Sequence, residues 1–379
     1  MVNEIIKNSS FDLEQWKYTN INLFKDYKYN ISCEETIFPP SKNNINLING
    51  KIKSQKTPHV VVNKIKNIRI DNIKKINHIV NSNVSNPFIK INSNNYTEGA
   101  YIYIKDNSIL EKPLVIDKKN NENKEKVLLN EKILIVVGNN VNAKIILNEY
   151  LNNQCYLNTV VQIYMGENSI VDFIHNSEKS KTTQICNFFS DIDSSSQLNF
   201  FSINIHGKLI KNNFFTNLNQ SNSSYHFYSL NLLNNNNHVD NYLEINHVKK
   251  NTTSSTYQKN ILDDKSKCIF YAKAKIFRNS TNSEVIQSNK NLVLSDQAVV
   301  HSNPQLEIHN NDVKCSHGST TGELDESMLF YMRSRGIKLS DCKKIILDGF
   351  ANSIINNIKV KSIKNDVQKK VSSWLNNVS

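Results

Sequence analysis

Cys315, Ser316 and His317 form the sharpest chemical constellation in the sequence. In an extended backbone, residues i and i+2 project to one side, so a thiol and an imidazole would face the same space. That pair suits a soft metal ion or a sulfur species. The competing reading is a half-buried Cys and a capping His at a strand-to-helix junction, and the residues alone leave both open. A Cys/His nucleophile pair is disfavoured, because no third, orienting residue is identifiable and such pairs usually come from distant positions. The surrounding stretch, residues 304–337, reads PQLEIHNNDVKCSHGSTTGELDESMLFYMRSRGI and holds three of the nine Gly and two of the four Arg.

Elsewhere the chemistry-bearing residues are scattered. His59, His78, His175, His206, His226, His238, His247, His301 and His309 show no ligand spacing, and each reads as a surface or satisfied core residue. The Asp263-Asp264 and Asp191/Asp193 pairs read as turns. Neither GxxxxGK[ST] nor GxGxxG occurs, so nucleotide binding has no support. The six Cys form no CxxC pair, and the first 16 residues lack a basic stretch followed by an apolar run. The expectation is a reduced, cytoplasmic chain without a disulfide framework. The longest clean apolar run, 133–137, is far short of the roughly 20 residues of a membrane helix.

The 379 residues carry a formal charge of +12, which invites a nucleic-acid reading. The make-up of the charge opposes it. Of 46 basic residues only Arg69, Arg278, Arg333 and Arg335 are Arg, and the Lys are spread along the chain, whereas phosphate recognition favours clustered Arg. Asn accounts for 63 residues. Asn, Lys, Ile and Tyr have AT-rich codons, so the composition reads as genomic drift that leaves Lys on solvated surface.

The elements that must position Cys315 and His317 fall into three parts. Residues 1–96 are mixed and irregular, broken at Pro39-Pro40. Residues 97–312 carry short β-prone runs, such as 100–104, 133–137, 198–205 and 268–276, with no amphipathic helix among them. Turns such as Gly138-Asn139-Asn140, Gly166-Glu167-Asn168-Ser169 and 234–237 close the runs, and Asn there can supply the left-handed conformation usually given to Gly. Spacing near ten residues over so long a stretch favours stacked solenoid rungs over a sandwich or barrel. Residues 313–379 read as helical. Thr320-Thr321-Gly322-Glu323 has the spacing of a capping box. Leu324, Met328, Leu329 and Met332 form a first stripe, with Gly336 as its C-terminal stop. A second stripe runs through Ile345, Ile346, Gly349, Phe350, Ile354 and Ile358, and a third through Ile363, Val367, Val371 and Trp374.

These residues match a known pattern. PQLEI at 304–308, DVKCSHG at 312–318, GELD at 322–325 and LFYMRSRGI at 329–337 closely resemble the C-terminal signature of the SufB/SufD family of iron–sulfur cluster assembly proteins. The segment 14–19, EQWKYT, and the segment 87–99 resemble the family's N-terminal motif and its entry into a β region. The CSHG form resembles the SufD branch rather than the SufB branch. Ser319 departs from the common Ala, and His301 and Asn303 stand where the family more often has Asn and Lys.

The resemblance implies a mainly β chain: a right-handed parallel β-helix (residues 97–312) between the irregular N-terminal region and a C-terminal α-helical domain. It implies a non-enzymatic scaffold that pairs with SufB and binds the SufC ATPase, with sulfur supplied indirectly by a cysteine desulfurase. Cys315 and His317 would handle iron or a cluster at the SufB interface, as metal ligands shared with the partner. No cofactor is expected on the chain alone. Phe330, Tyr331, Arg333, Arg335 and Gly336 would face SufC. Neither nucleic acid nor membrane is an expected partner. The rival from another class is a β-helix carbohydrate-binding or carbohydrate-active protein, which needs clustered acids on one face; none is visible.

Overall fold

The computed structural model describes residues 13–20, 44–48, 50–54, 57–68, 86–96, 98–120, 128–151, 156–178, 183–205 and 207–377. Pro39-Pro40, Arg69, His78, His206, Cys33 and Cys155 lie outside the described residues.

Strands alternate between two sheets as the chain advances, giving a β-solenoid of about seven turns. The first sheet has ten strands. It starts at Lys51–Ser54 and Asn44–Ile48 and runs through Leu114–Asn120, Asn142–Leu151, Ile170–Glu178, Gln197–Ile205, Ser224–Leu233, Thr253–Leu262 and Ser283–Val293 to Val313–Gly322. The second has nine, from Val60–Lys64 through Ala100–Ile104, Leu128–Val137 and their successors to Lys267–Ile276 and Val299–Ile308. Pairing is parallel except at the start, where Asn44–Ile48 meets Lys51–Ser54 and Val60–Lys64 meets Ala100–Ile104 in antiparallel fashion.

Parallel in-register pairing puts equivalent residues in columns. On the inner face of the first sheet, Ile145, Phe173, Phe200 and Phe227 stack rung upon rung. Opposite them stand Val161, Phe188 and Phe214 from the second sheet. Phe173 and Phe200 lie 4.9 Å apart and Phe188 and Phe214 5.1 Å, both stacked. The interior is thus an aromatic and aliphatic core, in which each rung covers the apolar surface of the last.

The turns behave as the Asn-rich sequence predicts. Among the described residues, seven of the ten non-Gly residues with positive φ are Asn, including Asn140, Asn168, Asn222, Asn235, Asn251 and Asn282. They sit at rung corners, where a short polar side chain tolerates the left-handed region at lower cost than other L residues.

The helical region begins later than the sequence suggests. Val313–Gly322 is a strand, and the first C-terminal helix is Glu326–Ser334. Cys315, His317, Ser319 and Thr321 alternate inward and continue four interior columns, so this polar segment is the last rung. The capping box at Thr320–Glu323 is accordingly absent. Asp325 caps the helix instead, accepting bonds from the backbone amides of Ser327 (2.9 Å) and Met328 (3.1 Å). Two further helices follow, Leu339–Ile355 and Lys361–Leu375. They cover the outer face of the first sheet, where Leu347, Ala351, Ile354, Val367, Val371 and Trp374 pack on Ile146, Ile174, Phe201, Ile203, Leu230 and Ile261. The second stripe is therefore rotated from its expected position: Leu347 and Ala351 are buried, while Ile345 is 54% exposed.

A different cover lies on the second sheet. The short helix Leu13–Trp16 and the helix Pro87–Asn95 pack there, with Trp16 against Phe88 at 5.2 Å. Lys211, fully buried, pairs with Asp240 at 2.9 Å and lies 5.4 Å from the Trp16 ring centre. Tyr18 stacks on His301 at 4.1 Å, tying the N-terminal segment to the last strand of that sheet.

Candidate functional site: the open end of the solenoid

Val313–Gly322 hydrogen-bonds to Ser283–Val293 on one side, and Val299–Ile308 bonds to Lys267–Ile276 on one side. Each is the last strand of its sheet, with no further strand beyond it among the described residues. The solenoid therefore ends on two parallel unpaired edges, a template for added strands.

The register fixes what this end displays. Cys315 lies beside Val285, His317 beside Gln287, Ser319 beside Asn289 and Thr321 beside Asn291. Cys315 and His317 are thus on one face, in adjacent interior columns, as the i, i+2 spacing predicts. Cys315 is half-buried and His317 exposed. Partial burial pushes the Cys315 thiol up, so the free sulfur is a protonated thiol until a metal or a base takes its proton. Across the opening the Ser319 hydroxyl meets the Ser302 hydroxyl at 2.8 Å, linking the two edges. Glu307 binds Lys273 and Lys275 at 2.7 Å each and His309 at 2.8 Å. Those three donors hold its carboxyl well below the usual range.

The helix Glu326–Ser334 stands beyond this rung. Leu329 is buried and anchors it, while Phe330 is 75% and Tyr331 58% exposed. Arg335 donates to the Tyr331 hydroxyl at 3.2 Å and lies over its ring at 5.2 Å, so the pair is preorganised in solvent. Arg333 is exposed at the helix C-terminus. Gly336 has φ of +85°, and its amide and that of Ile337 bond back to Arg333 and Met332. A side chain at 336 would strain this stop. Phe330, Tyr331, Arg333, Arg335 and Gly336 are all exposed, on a different element from Cys315 and His317.

A second group escaped the sequence reading. Inside the early rungs, Lys118 (0% side-chain exposure) binds Glu131 and Glu149 at 2.7 Å each and donates to the Thr159 hydroxyl at 2.7 Å. His175, Cys186 and Gln184 complete the cluster. The His175 Nε2 lies 3.2 Å from the Glu149 carboxylate, and the Gln184 amide touches both that carboxylate and the Cys186 sulfur. Burial alone would raise Glu149, but the positive charge of Lys118 and the nearby His175 outweigh it and hold the carboxyl low. Burial and the Glu149 charge push the Cys186 thiol up. The residues come from six strands between 114 and 192, and only the register unites them. An Ile-rich run containing a Lys or Glu was the one available signal.

From this cluster a polar column follows the first sheet to the open end: Lys118, Glu149, Ser177, Asn204, Asn231, Asn260, Asn291, Thr321. Asn204 donates to Asn231 at 2.7 Å, Asn231 to Asn260 at 2.6 Å, and Asn291 to the Thr321 hydroxyl at 3.0 Å. Asn side chains thus bridge rungs inside the molecule, which corrects the reading of the composition as drift alone. Lys118 and Lys211 likewise correct the placing of Lys on solvated surface.

The profile described as SUF system FeS cluster assembly, SufBD core domain, matches residues 119–350, well over half the chain. The chain belongs to the SufBD family. An iron–sulfur cluster assembly SufBD family protein of Synechocystis sp. is 26% identical over 301 residues, covering 75% of this chain and 65% of that protein. The iron–sulfur cluster assembly protein SufD of Escherichia coli is 31% identical over 169 residues, covering 45% and 40%. SufD of Plasmodium berghei is 24% identical over 225 residues, or 58% of this chain and 16% of that one. The chain thus matches less than two thirds of the length of these SufBD-family relatives. Its described helices include none long and apolar enough to cross a membrane.

Proposed function

We propose that this SufBD-family chain is a non-catalytic, cytoplasmic SufD-type subunit of an iron–sulfur cluster assembly complex. It pairs with a SufB-type protein through the open end of its solenoid. The observation that carries this reading is the last rung. Two unpaired strand edges flank an inward-facing Cys315 and His317, which leaves the pair incomplete as a metal site and accessible to ligands from a second chain. Thiol and imidazole supply two ligands to iron or to a nascent cluster, which is cargo, and the partner supplies the remainder.

The Glu326–Ser334 helix docks the SufC-type ATPase. Phe330 and Tyr331 offer exposed aromatic area and Arg333 and Arg335 offer charge, a combination enriched at interface anchors. Because this helix follows the last rung directly, movement of the docked ATPase is transmitted to the SufB contact. Catalysis by the chain has no support in the geometry. The carboxylates Glu131 and Glu149 are buried and held by Lys118, which is unsuited to general acid–base work on a sugar and counts against the carbohydrate reading.

Co-expression with the SufB-type and SufC-type proteins tests the assignment. Phe330→Ala combined with Arg333→Glu is expected to lose SufC in a pull-down while retaining SufB. His317→Ala is expected to retain both partners and lose cluster assembly. Unchanged SufC capture by the double variant overturns the docking surface, and intact assembly by His317→Ala reduces that imidazole to a structural role.

A further inference from the structure

We infer that Glu149, His175 and Cys186 form a second, enclosed site for one divalent transition-metal ion of the Zn2+ or Fe2+ class. The site is separate from Cys315 and His317 and does not depend on how those act.

The donor set comes first. A carboxylate oxygen, an imidazole nitrogen and a thiol sulfur lie within 4.8 Å of one another, and all three residues are buried. Two ligands bound tetrahedrally at 2.0–2.1 Å stand roughly 3.3 Å apart. The His175 Nε2 and the Glu149 oxygen are already 3.2 Å apart. Mixed N, O and S ligation in a small tetrahedral space selects Zn2+ or Fe2+ over Mg2+ or Ca2+, which require several oxygens.

The imidazole supplies an independent observation. His175 is fully buried, yet neither ring nitrogen has a hydrogen-bond partner of acceptable geometry. Buried His is normally satisfied, as His247 is by Thr252 and Ser254 at 2.8 Å each. A buried imidazole with unused nitrogens, close to a carboxylate and a thiol, is suited to hold an ion.

The surroundings suit the same assignment. Lys118 occupies one oxygen of Glu149 and leaves the other facing His175. It therefore acts as an outer partner that orients the carboxylate. The Gln184 amide already contacts both Glu149 and Cys186, and flipping it would present its carbonyl oxygen as a fourth ligand. Two carboxylates, Glu131 and Glu149, face one ammonium, which leaves a buried negative charge. A divalent ion that displaces the Cys186 proton brings the group to neutrality. An enclosed site loads as the rungs close, so the ion is expected to be acquired during folding.

The test uses the full chain, unfolded and refolded with Co2+ or Zn2+ and then dialysed against a weak chelator. One ion per chain is expected to remain. Co2+ should give a near-ultraviolet thiolate-to-metal charge-transfer band. Cys315→Ser should keep the band, and Cys186→Ala should lose it with circular dichroism unchanged. X-ray absorption on the Zn2+-loaded wild type keeps the question open to refutation even where Cys186→Ala fails to fold. It should show a single sulfur near 2.3 Å with nitrogen or oxygen near 2.0 Å. Metal content below a tenth of an ion per chain, a sulfur-free shell, or a band that survives Cys186→Ala overturns the site. Loss of the band only in Cys315→Ser assigns metal binding to the open end instead.

Discussion

Replacing Asn231 by Leu tests whether the Asn column supports the fold. Leu keeps the branched skeleton of Asn with methyl groups in place of the amide oxygen and nitrogen, so the change removes the hydrogen-bonding atoms without opening a cavity. Asn231 accepts from Asn204 at 2.7 Å and donates to Asn260 at 2.6 Å. The substitution leaves the Asn204 amide without its better acceptor and deprives the Asn260 carbonyl oxygen of its donor. Both atoms are buried, and each orphaned buried group costs about 1–3 kcal/mol, giving about 2–6 kcal/mol in all. Asn260→Leu alone orphans two atoms in the same way, on Asn231 and Asn291. The double variant also orphans only two, on Asn204 and Asn291. Its cost should therefore equal that of either single variant rather than their sum. Urea unfolding followed by circular dichroism measures all four corners of the cycle. A single-variant cost below about 0.5 kcal/mol, or strict additivity, refutes the claim that the column is a cooperative ladder.

Three further outcomes follow from particular contacts. Lys118→Met removes the only ammonium facing Glu131 and Glu149 among the described residues and should cost about 3–5 kcal/mol at pH 7, read from the urea midpoint. Protonating the two carboxylates should recover part of that loss as pH falls, whereas the wild type loses the Glu149 contribution over the same range, because its folded carboxyl sits below its unfolded one. Asn168, at φ of 54°, should tolerate Gly and lose about 1 kcal/mol on replacement by Ala, measured by thermal unfolding. Burial pushes His247 down to about 4 from 6.5. The unfolded chain then binds more protons between those values, so stability should fall as pH drops from 6.5 to 4, and His247→Gln should flatten that part of the profile.

The strands were legible where their inward positions are apolar and obscure where they are polar. Ala100–Ile104 matches its expected bounds because its inward residues are Ala100, Ile102 and Ile104. Thr253–Leu262 gave no signal, since Ser254, Thr256, Gln258 and Asn260 point inward and hydrophobic alternation disappears. Val313–Gly322 is disguised for the same reason and reads in the sequence as part of the helical region. The Asn turns could be anticipated because their conformation is set locally by side-chain size. That Cys315 and His317 share a face was legible because they are two residues apart in one strand. Glu149, His175 and Cys186 were not, because they sit on separate strands and meet only through a register that the sequence does not display locally.

The distribution of polarity along the interior has a physical purpose beyond satisfying amides. Early rungs are filled by Ile102, Ile135, Ile163, Phe173, Phe188 and Phe200. Towards the open end the first sheet's columns turn polar, Phe227 being followed by Thr256, Gln287 and His317, whereas the second sheet stays apolar, Phe188 being followed by Phe214, Leu243, Ala272 and Pro304. A solenoid end lined with Phe or Ile along both sheets would present a wholly apolar face to water and aggregate through its free edges. Here Val300, Leu306 and Ile308 end the second sheet, and the polar strand belongs to the first. A last rung of Cys315, His317, Ser319 and Thr321 can stand in water, yet it carries the same alternation as the buried rungs. The polar columns make that possible by spreading the change from oil-like to water-like filling over several rungs, each amide bonded to the next. The residues that disguise the last strands in the sequence are therefore the ones that let the solenoid end in an exposed, chemically equipped surface.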